Sequence, residues 1–180
     1  SEIDELAGAR PKSIFYRENI VFTSGKDYTQ IRVPAVIQLP NRDILAFCEG
    51  RNVANDYGNL DIIMRRSRDR GLTWSDFEVV VDNGNVVAGN PTPVIDMMDP
   101  KFPKGRIFLH YNTSNHPEND IMKGNGMREV LYVTSGDGGK TWDKPVNITL
   151  SVNKPNEPGF NPAYNFPEDW RWYANGPGHA

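Results

Sequence analysis

The chain has 180 residues, of which 38% are hydrophobic, and a formal charge of −3 from 20 basic and 23 acidic residues. That length suffices for a single hydrophobic core, and the apolar fraction sits at the low side of the globular range. The interspersed charges offer neither a basic patch for nucleic acid nor an acidic tail, and no apolar run approaches the roughly 20 residues needed to span a bilayer.

Taken in chain order, residues 1–19 read as a lead-in with at most a short helical turn. The opening "SEIDELAGARPK" lacks a basic-then-apolar leader, so an export signal is absent or already removed. Across the chain 16 glycines and 14 prolines fall mostly between short apolar or alternating runs, a pattern of all-β structure. The expected strands are Val33–Leu39, Ile44–Glu49, Leu60–Arg66, Phe77–Val81, Thr92–Asp96, Arg106–Tyr111 and Glu129–Thr134. Cys48, the single cysteine, sits in "ILAFCEG" and reads as a small buried apolar residue.

An internal repeat bears on the architecture. "SRDRGLTW" (Ser67 to Trp74) and "SGDGGKTW" (Ser135 to Trp142) both fit S-x-D-x-G-x-T-W, each directly after a strand and 68 residues apart. Asp and Ser oxygens can accept backbone N–H groups across a tight turn, Gly takes the positive φ such a turn needs, and Trp buries a large plate against the sheet. One or two carboxylates per box are fewer than the oxygen ligands a calcium site usually gathers. A repeated four-strand unit that cannot cover its own faces stacks radially on others as a β-propeller, and two units are fewer than the roughly four to eight needed to close a ring.

Several spaced motifs, "VFTSGKDYTQIRVPAVIQLPNRDILAFCEGR", "DYGNLDIIMRRSRDRGLTW", "GNPTPVID" and "WYANGPGH", occur in an order that resembles the N-terminal part of an exo-α-sialidase (neuraminidase) of the bacterial and animal type. The resemblance runs from about Ile20 to the end of the chain. "IRVP" stands where that family usually carries Arg-Ile-Pro, with a conservative change at Val33. The resemblance implies a six-bladed β-propeller, of which this chain supplies about the first two to three blades, and an enzyme that hydrolyses terminal α-linked sialic acid with retention. It also implies a secreted, periplasmic or cell-surface protein.

Residue roles follow from the same resemblance. Arg32 becomes the first of three arginines around the sugar's carboxylate, which a planar guanidinium grips through two parallel bonds; the alternative is a surface or strand-capping arginine. Arg51 would line the pocket near the 4-hydroxyl, or else pair structurally with Glu49 or Asp56. Asp56 matches the general acid/base, which must be protonated when it donates to the leaving oxygen. A solvated-loop role is its alternative, and Asp61 is a rival carboxylate that opens a strand. Asn90 would face the 4-hydroxyl or N-acetyl region, or simply form a turn before Pro91; Asp96, at the following strand's end, fits a structural role.

His110, His116 and His179 show no metal spacing and no nucleophile elbow; His179, in "GPGH", reads as a packing residue near the active-site face. Neither metal nor organic cofactor is implied. In the family the nucleophilic Tyr, the Glu that takes its proton and the other two arginines lie C-terminal to "GPGH". The expected partners are therefore sialylated glycoproteins, glycolipids or oligosaccharides and a complementary C-terminal polypeptide. Rival readings are a glycan-binding propeller without catalysis, a trans-sialidase on the same scaffold, and a propeller of another kind decorated with Asp-box hairpins. The last explains the boxes but not "IRVP" and "EGR" in register.

Overall fold

The structure, a computed structural model, describes residues 17–153 and 171–176. The expected N-terminal turn falls within residues 1–16 and, with His179, lies outside that range. Strands β1 (Gln30–Gln38), β2 (Ile44–Arg51), β3 (Leu60–Ser67) and β4 (Glu78–Val81) form one antiparallel sheet in sequential order. Strands β5 (Gly89–Asp96), β6 (Arg106–Ser114), β7 (Arg128–Ser135) and β8 (Val146–Asn147) form a second. Two short helices, α1 (Glu118–Met122) and α2 (Thr149–Val152), flank β7 and β8. No helix among the described residues is long and apolar enough to cross a membrane.

The all-β class expected from the sequence is the class observed. Alternation along "ILAFCEGR" sends Leu45 and Phe47 to one face of the first sheet and Ala46 and Cys48 to the other, and all four are buried. Leu45 and Phe47 join Ile62 and Met64 of β3, Ile107, Leu109 and Tyr111 of β6, and Val133 of β7 in the core between the two sheets. The opposite face carries a smaller cluster of Tyr28, Cys48 and Ile63, with Phe22, Ile31 and Phe77 against it. Burial, with the charge of Glu49 adding to it, pushes the Cys48 thiol up to about 12, so it packs as a hydrophobe rather than reacting.

Both S-x-D-x-G-x-T-W boxes fold as the same turn. Asp69 Oδ1 accepts the Ser67 hydroxyl at 2.8 Å and the Thr73 N–H at 2.8 Å, and Asp137 Oδ1 accepts Ser135 at 2.8 Å and Thr141 at 3.0 Å. Ser67 and Ser135 in turn accept the Gly71 and Gly139 N–H groups, with both glycines at positive φ of 85° and 80°. Trp142 packs on the inter-sheet core, edge-on to Phe47 at 6.1 Å between centroids. The second turn therefore staples its own sheet to the first.

Strand direction separates the two ends of this pair of sheets. The turns follow the C-terminal ends of β3 and β7. At the other end lie the start of β1, the end of β2 and the start of β3. Leu60, which opens β3, bridges Val87 in parallel, and its carbonyl accepts the Ala88 N–H at 2.8 Å, so the start of β5 is held at that same end.

Candidate functional site

The strands at this end are longer than the sequence pattern indicates, and the extra residues are the polar ones. β1 begins at Gln30, so Arg32 lies within it; β2 continues through Arg51; β5 begins at Gly89, so Asn90 is a strand residue rather than a turn before proline. In β1 the register shifts between Arg32 and Ala35, and in β5 between Gly89 and Thr92. Each of these bulges contains a non-glycine residue in the left-handed region, Val33 at φ 52° and Asn90 at φ 54°, followed by a proline. A β-branched residue there is strained, and bulges re-aim side chains at sheet rims. The same device occurs in both sheets at one cavity.

That cavity, of about 260 Å³, is lined by Arg32, Arg51, Asp56 and Asn90 together with Glu49, Arg128 and Trp172. All four residues singled out in the sequence therefore converge. Larger depressions of about 590 and 640 Å³ lie elsewhere and include none of those four. Three guanidinium groups and two carboxylates around one small space favour an anionic occupant.

Glu49 and Arg51 share a face of β2 because they are two residues apart. Both are almost fully buried, at 1% and 3% exposed. Arg51 donates from Nε to Glu49 Oε2 at 2.8 Å and also from Nη2 to the same oxygen. Its Nη1 reaches Asp56 Oδ1 at 2.6 Å and the Asn55 carbonyl at 3.2 Å. Burial alone would lower the pKa of Arg51, but the bonds and charges of Asp56 and Glu49 outweigh it and hold the group above its ordinary value. The structural pairing weighed for Arg51 is thus present, and the residue still lines the cavity.

The other Glu49 oxygen, Oε1, accepts the backbone N–H of Asn90 at 2.7 Å. This close approach needs Gly89, where a Cβ would stand 2.7 Å from that oxygen. One buried carboxylate thus sets Arg51 in the first sheet against the bulge of the second.

Asp56 sits on the loop between β2 and β3, with its side chain 63% exposed, and its Oδ1 also faces Arg32 Nη1 at 3.3 Å. The loop is narrowed by an Asn52 N–H to Asn59 carbonyl bond and by an Asn55 side chain capping the Tyr57 N–H. Tyr57 then donates its hydroxyl to the Asn115 carbonyl at 3.0 Å, tying the loop to the second sheet. Asp61, the rival carboxylate, pairs in register with Gly50 and so points to the face opposite Glu49 and Arg51. It accepts the Tyr28 hydroxyl at 2.7 Å, and burial raises its pKa. Asp96 caps the Met98 N–H at 2.7 Å, and His110 stacks on Phe108 and meets Tyr132 edge-on.

No protein-family model matches the chain. An exo-alpha-sialidase of Aspergillus fumigatus is 30% identical over 178 residues, covering 88% of this chain and 40% of the relative. The chain belongs to the sialidase family. It spans about 40% of the length of that curated relative. Among solved structures, Hadza microbial sialidase Hz136 superposes with a TM-score of 0.65 at 22% identity, covering 85% of this chain and 30% of that one. The intramolecular trans-sialidase of Ruminococcus gnavus, solved with oseltamivir carboxylate, superposes at 0.64 with 10% identity, covering 85% of this chain and 52% of that one. At such identities the likeness is one of fold.

Two cavity residues of this sialidase-family chain escaped the sequence reading. Glu49 was visible only as a partner for Arg51, although its place two residues before Arg51 on a buried strand was a usable signal. Arg128 opens β7 without any motif around it, and only the fold brings it to the cavity.

Proposed function

We propose that this chain is part of an exo-α-sialidase that releases terminal α-linked sialic acid from glycoconjugates with retention of configuration. The observation that carries the reading is the convergence of Arg32, Arg51 and Asp56 on one small cavity, with Asp56 exposed on a loop at its mouth. Arg32 binds the sugar's carboxylate through its guanidinium fork. In doing so it exchanges Asp56 for the substrate as its anion. Arg51 and Asn90 hold the sugar further along the ring, and the Glu49 network keeps both in place.

Asp56, protonated at the moment of transfer, donates its proton to the glycosidic oxygen as the C2–O bond breaks, and later takes a proton from the attacking water. The nucleophile is a tyrosine deprotonated by a glutamate, both contributed by residues outside this chain together with two further carboxylate-binding arginines. The complete assembly is a six-bladed propeller. Within it this chain supplies the first two blades and the start of the third. The protein acts on sialylated glycoproteins, glycolipids or oligosaccharides at the cell surface, in the periplasm or outside the cell.

Proton NMR of the complete protein acting on a sialyl oligosaccharide tests this directly. The α-anomer of free sialic acid is expected first, followed by mutarotation to the β form. Initial release of the β-anomer, or no release at all, would remove the proposed reaction.

A further inference from the structure

Arg128 is 8% exposed, and among the described residues no carboxylate lies within 4 Å of its guanidinium. Burying a cation without a paired anion costs several kcal/mol unless other groups satisfy it. Here its Nε donates to the Tyr173 carbonyl, its Nη1 donates to the Ser114 hydroxyl at 3.0 Å, and its Cζ lies 4.0 Å from the centre of the Trp172 ring. The contact is reciprocal, because the Tyr173 hydroxyl donates back to the Arg128 carbonyl at 2.6 Å.

The rest of the segment is fastened by neutral bonds. The Asn175 N–H reaches Asn112 Oδ1 at 2.9 Å, and the Thr92 hydroxyl reaches the Gly176 carbonyl at 2.6 Å. Trp172 and Ala174 of this segment line the cavity, as does Arg128. An aliphatic side chain would fill such a position at lower desolvation cost. A planar guanidinium can instead stack on a ring, bond a backbone carbonyl and present positive charge to an anion site at once.

We propose that Arg128 is a positioning residue for the candidate site: it fixes residues 172–174 as a wall of the cavity and through that wall sets how tightly the sugar is held. The link to the sugar rests on the sialidase reading; the wall itself does not. Wall placement acts on the bound sugar throughout the reaction, so its loss falls on KM rather than on the chemical step.

The test uses Arg128→Lys and Arg128→Met in the complete enzyme, with two readouts. Backbone hydrogen exchange at Tyr173 to Gly176 is expected to speed up at least about tenfold in both variants, while β5 to β7 keep wild-type rates. KM for a sialoside is expected to rise about tenfold or more with kcat within about threefold, and Lys is not expected to rescue, because it lacks the planar fork and the stack. Wild-type exchange in the segment, an unchanged KM, or a fall in kcat at fixed KM would each overturn the proposal. Should the Arg128 variants fail to fold, Trp172→Ala leaves β7 untouched and must show the same rise in KM; a wild-type KM there overturns it. A wild-type protein without sialoside turnover but with the exchange effect would remove the sialidase reading and leave the wall standing.

Discussion

Glu49 Oε1 accepts the backbone N–H of Asn90 at 2.7 Å, while the same carboxylate holds Arg51 through its other oxygen. This buried carboxylate therefore fixes a cation of the first sheet and the strained bulge of the second. Glu49→Ala leaves Arg51 in a buried position with the exposed Asp56 as its remaining carboxylate. Losing one member of a buried pair typically costs about 3–5 kcal/mol, and chemical denaturation should show a loss of that size. A loss below about 1 kcal/mol would mean that Glu49 is not the keystone described.

Val33 occupies the left-handed region at φ 52°. Strain of that kind costs of order 1–3 kcal/mol in a β-branched residue, whereas glycine adopts the conformation freely but loses more entropy on folding. Val33→Gly should therefore be neutral or stabilising by up to about 1 kcal/mol. Substantial destabilisation in urea would show that the Val33 side chain contributes packing that outweighs its strain.

The two Asp turns carry an acid signature. Hydrogen bonds from the Thr73 hydroxyl and N–H hold the Asp69 carboxyl down at about 2. For Asp137, burial pulls the other way, but the Thr141 hydroxyl and N–H win and hold it below its ordinary value. A carboxyl depressed in the folded state contributes stability above its unfolded pKa of about 3.9, and that contribution is lost as pH falls through the folded value. Asp69→Asn should therefore be less stable than wild type at pH 7, with the gap in urea midpoint closing between about pH 4 and about pH 2. A gap that does not change with pH would assign the turn's stability to shape rather than charge.

The sequence carries two formal N-glycosylation sequons, Asn112-Thr113-Ser114 and Asn147-Ile148-Thr149, and the fold accommodates one. Asn112 is fully buried, with its amide donating to the Glu129 carbonyl and accepting the Asn175 N–H. Asn147 lies exposed on the edge strand β8 and accepts both the N–H and the hydroxyl of Thr149. Expression through a glycosylating secretory pathway should give folded protein with a glycan at Asn147 and none at Asn112, read by peptide mass after glycosidase treatment. Folded material glycosylated at Asn112 would contradict the placement of β6.

Much of the fold was legible because burial and period coincide. "ILAFCEGR" and "LDIIMRRS" alternate between two buried faces, and the repeated S-x-D-x-G-x-T-W turns follow strands in both sheets. The strand ends at the site were less legible. Val33 reads as the first residue of a strand and Asn90 as facing the sugar or forming a turn before Pro91, yet both sit inside strands as bulges, since pairing on either side holds them. Phe77 reads as a strand residue but packs on Tyr28 just outside β4, and the two residues of β8 are too few to show a pattern. Arg32, Arg51, Asp56 and Asn90 were found through local motifs. Arg128 and the Tyr57 tether to Asn115 depend on contacts between segments far apart in sequence, which no local pattern reports.

The role assigned to Asp56 predicts a dependence on the leaving group. In the complete enzyme, Asp56→Asn should lower kcat/KM roughly a hundred- to ten-thousandfold for a sialyl oligosaccharide, whose alcohol must be protonated as it departs. For an aryl sialoside, whose phenolate departs without help, the loss should be far smaller. Equal losses on both substrates, or an unchanged rate on the oligosaccharide, would contradict a proton transfer from Asp56 at this cavity.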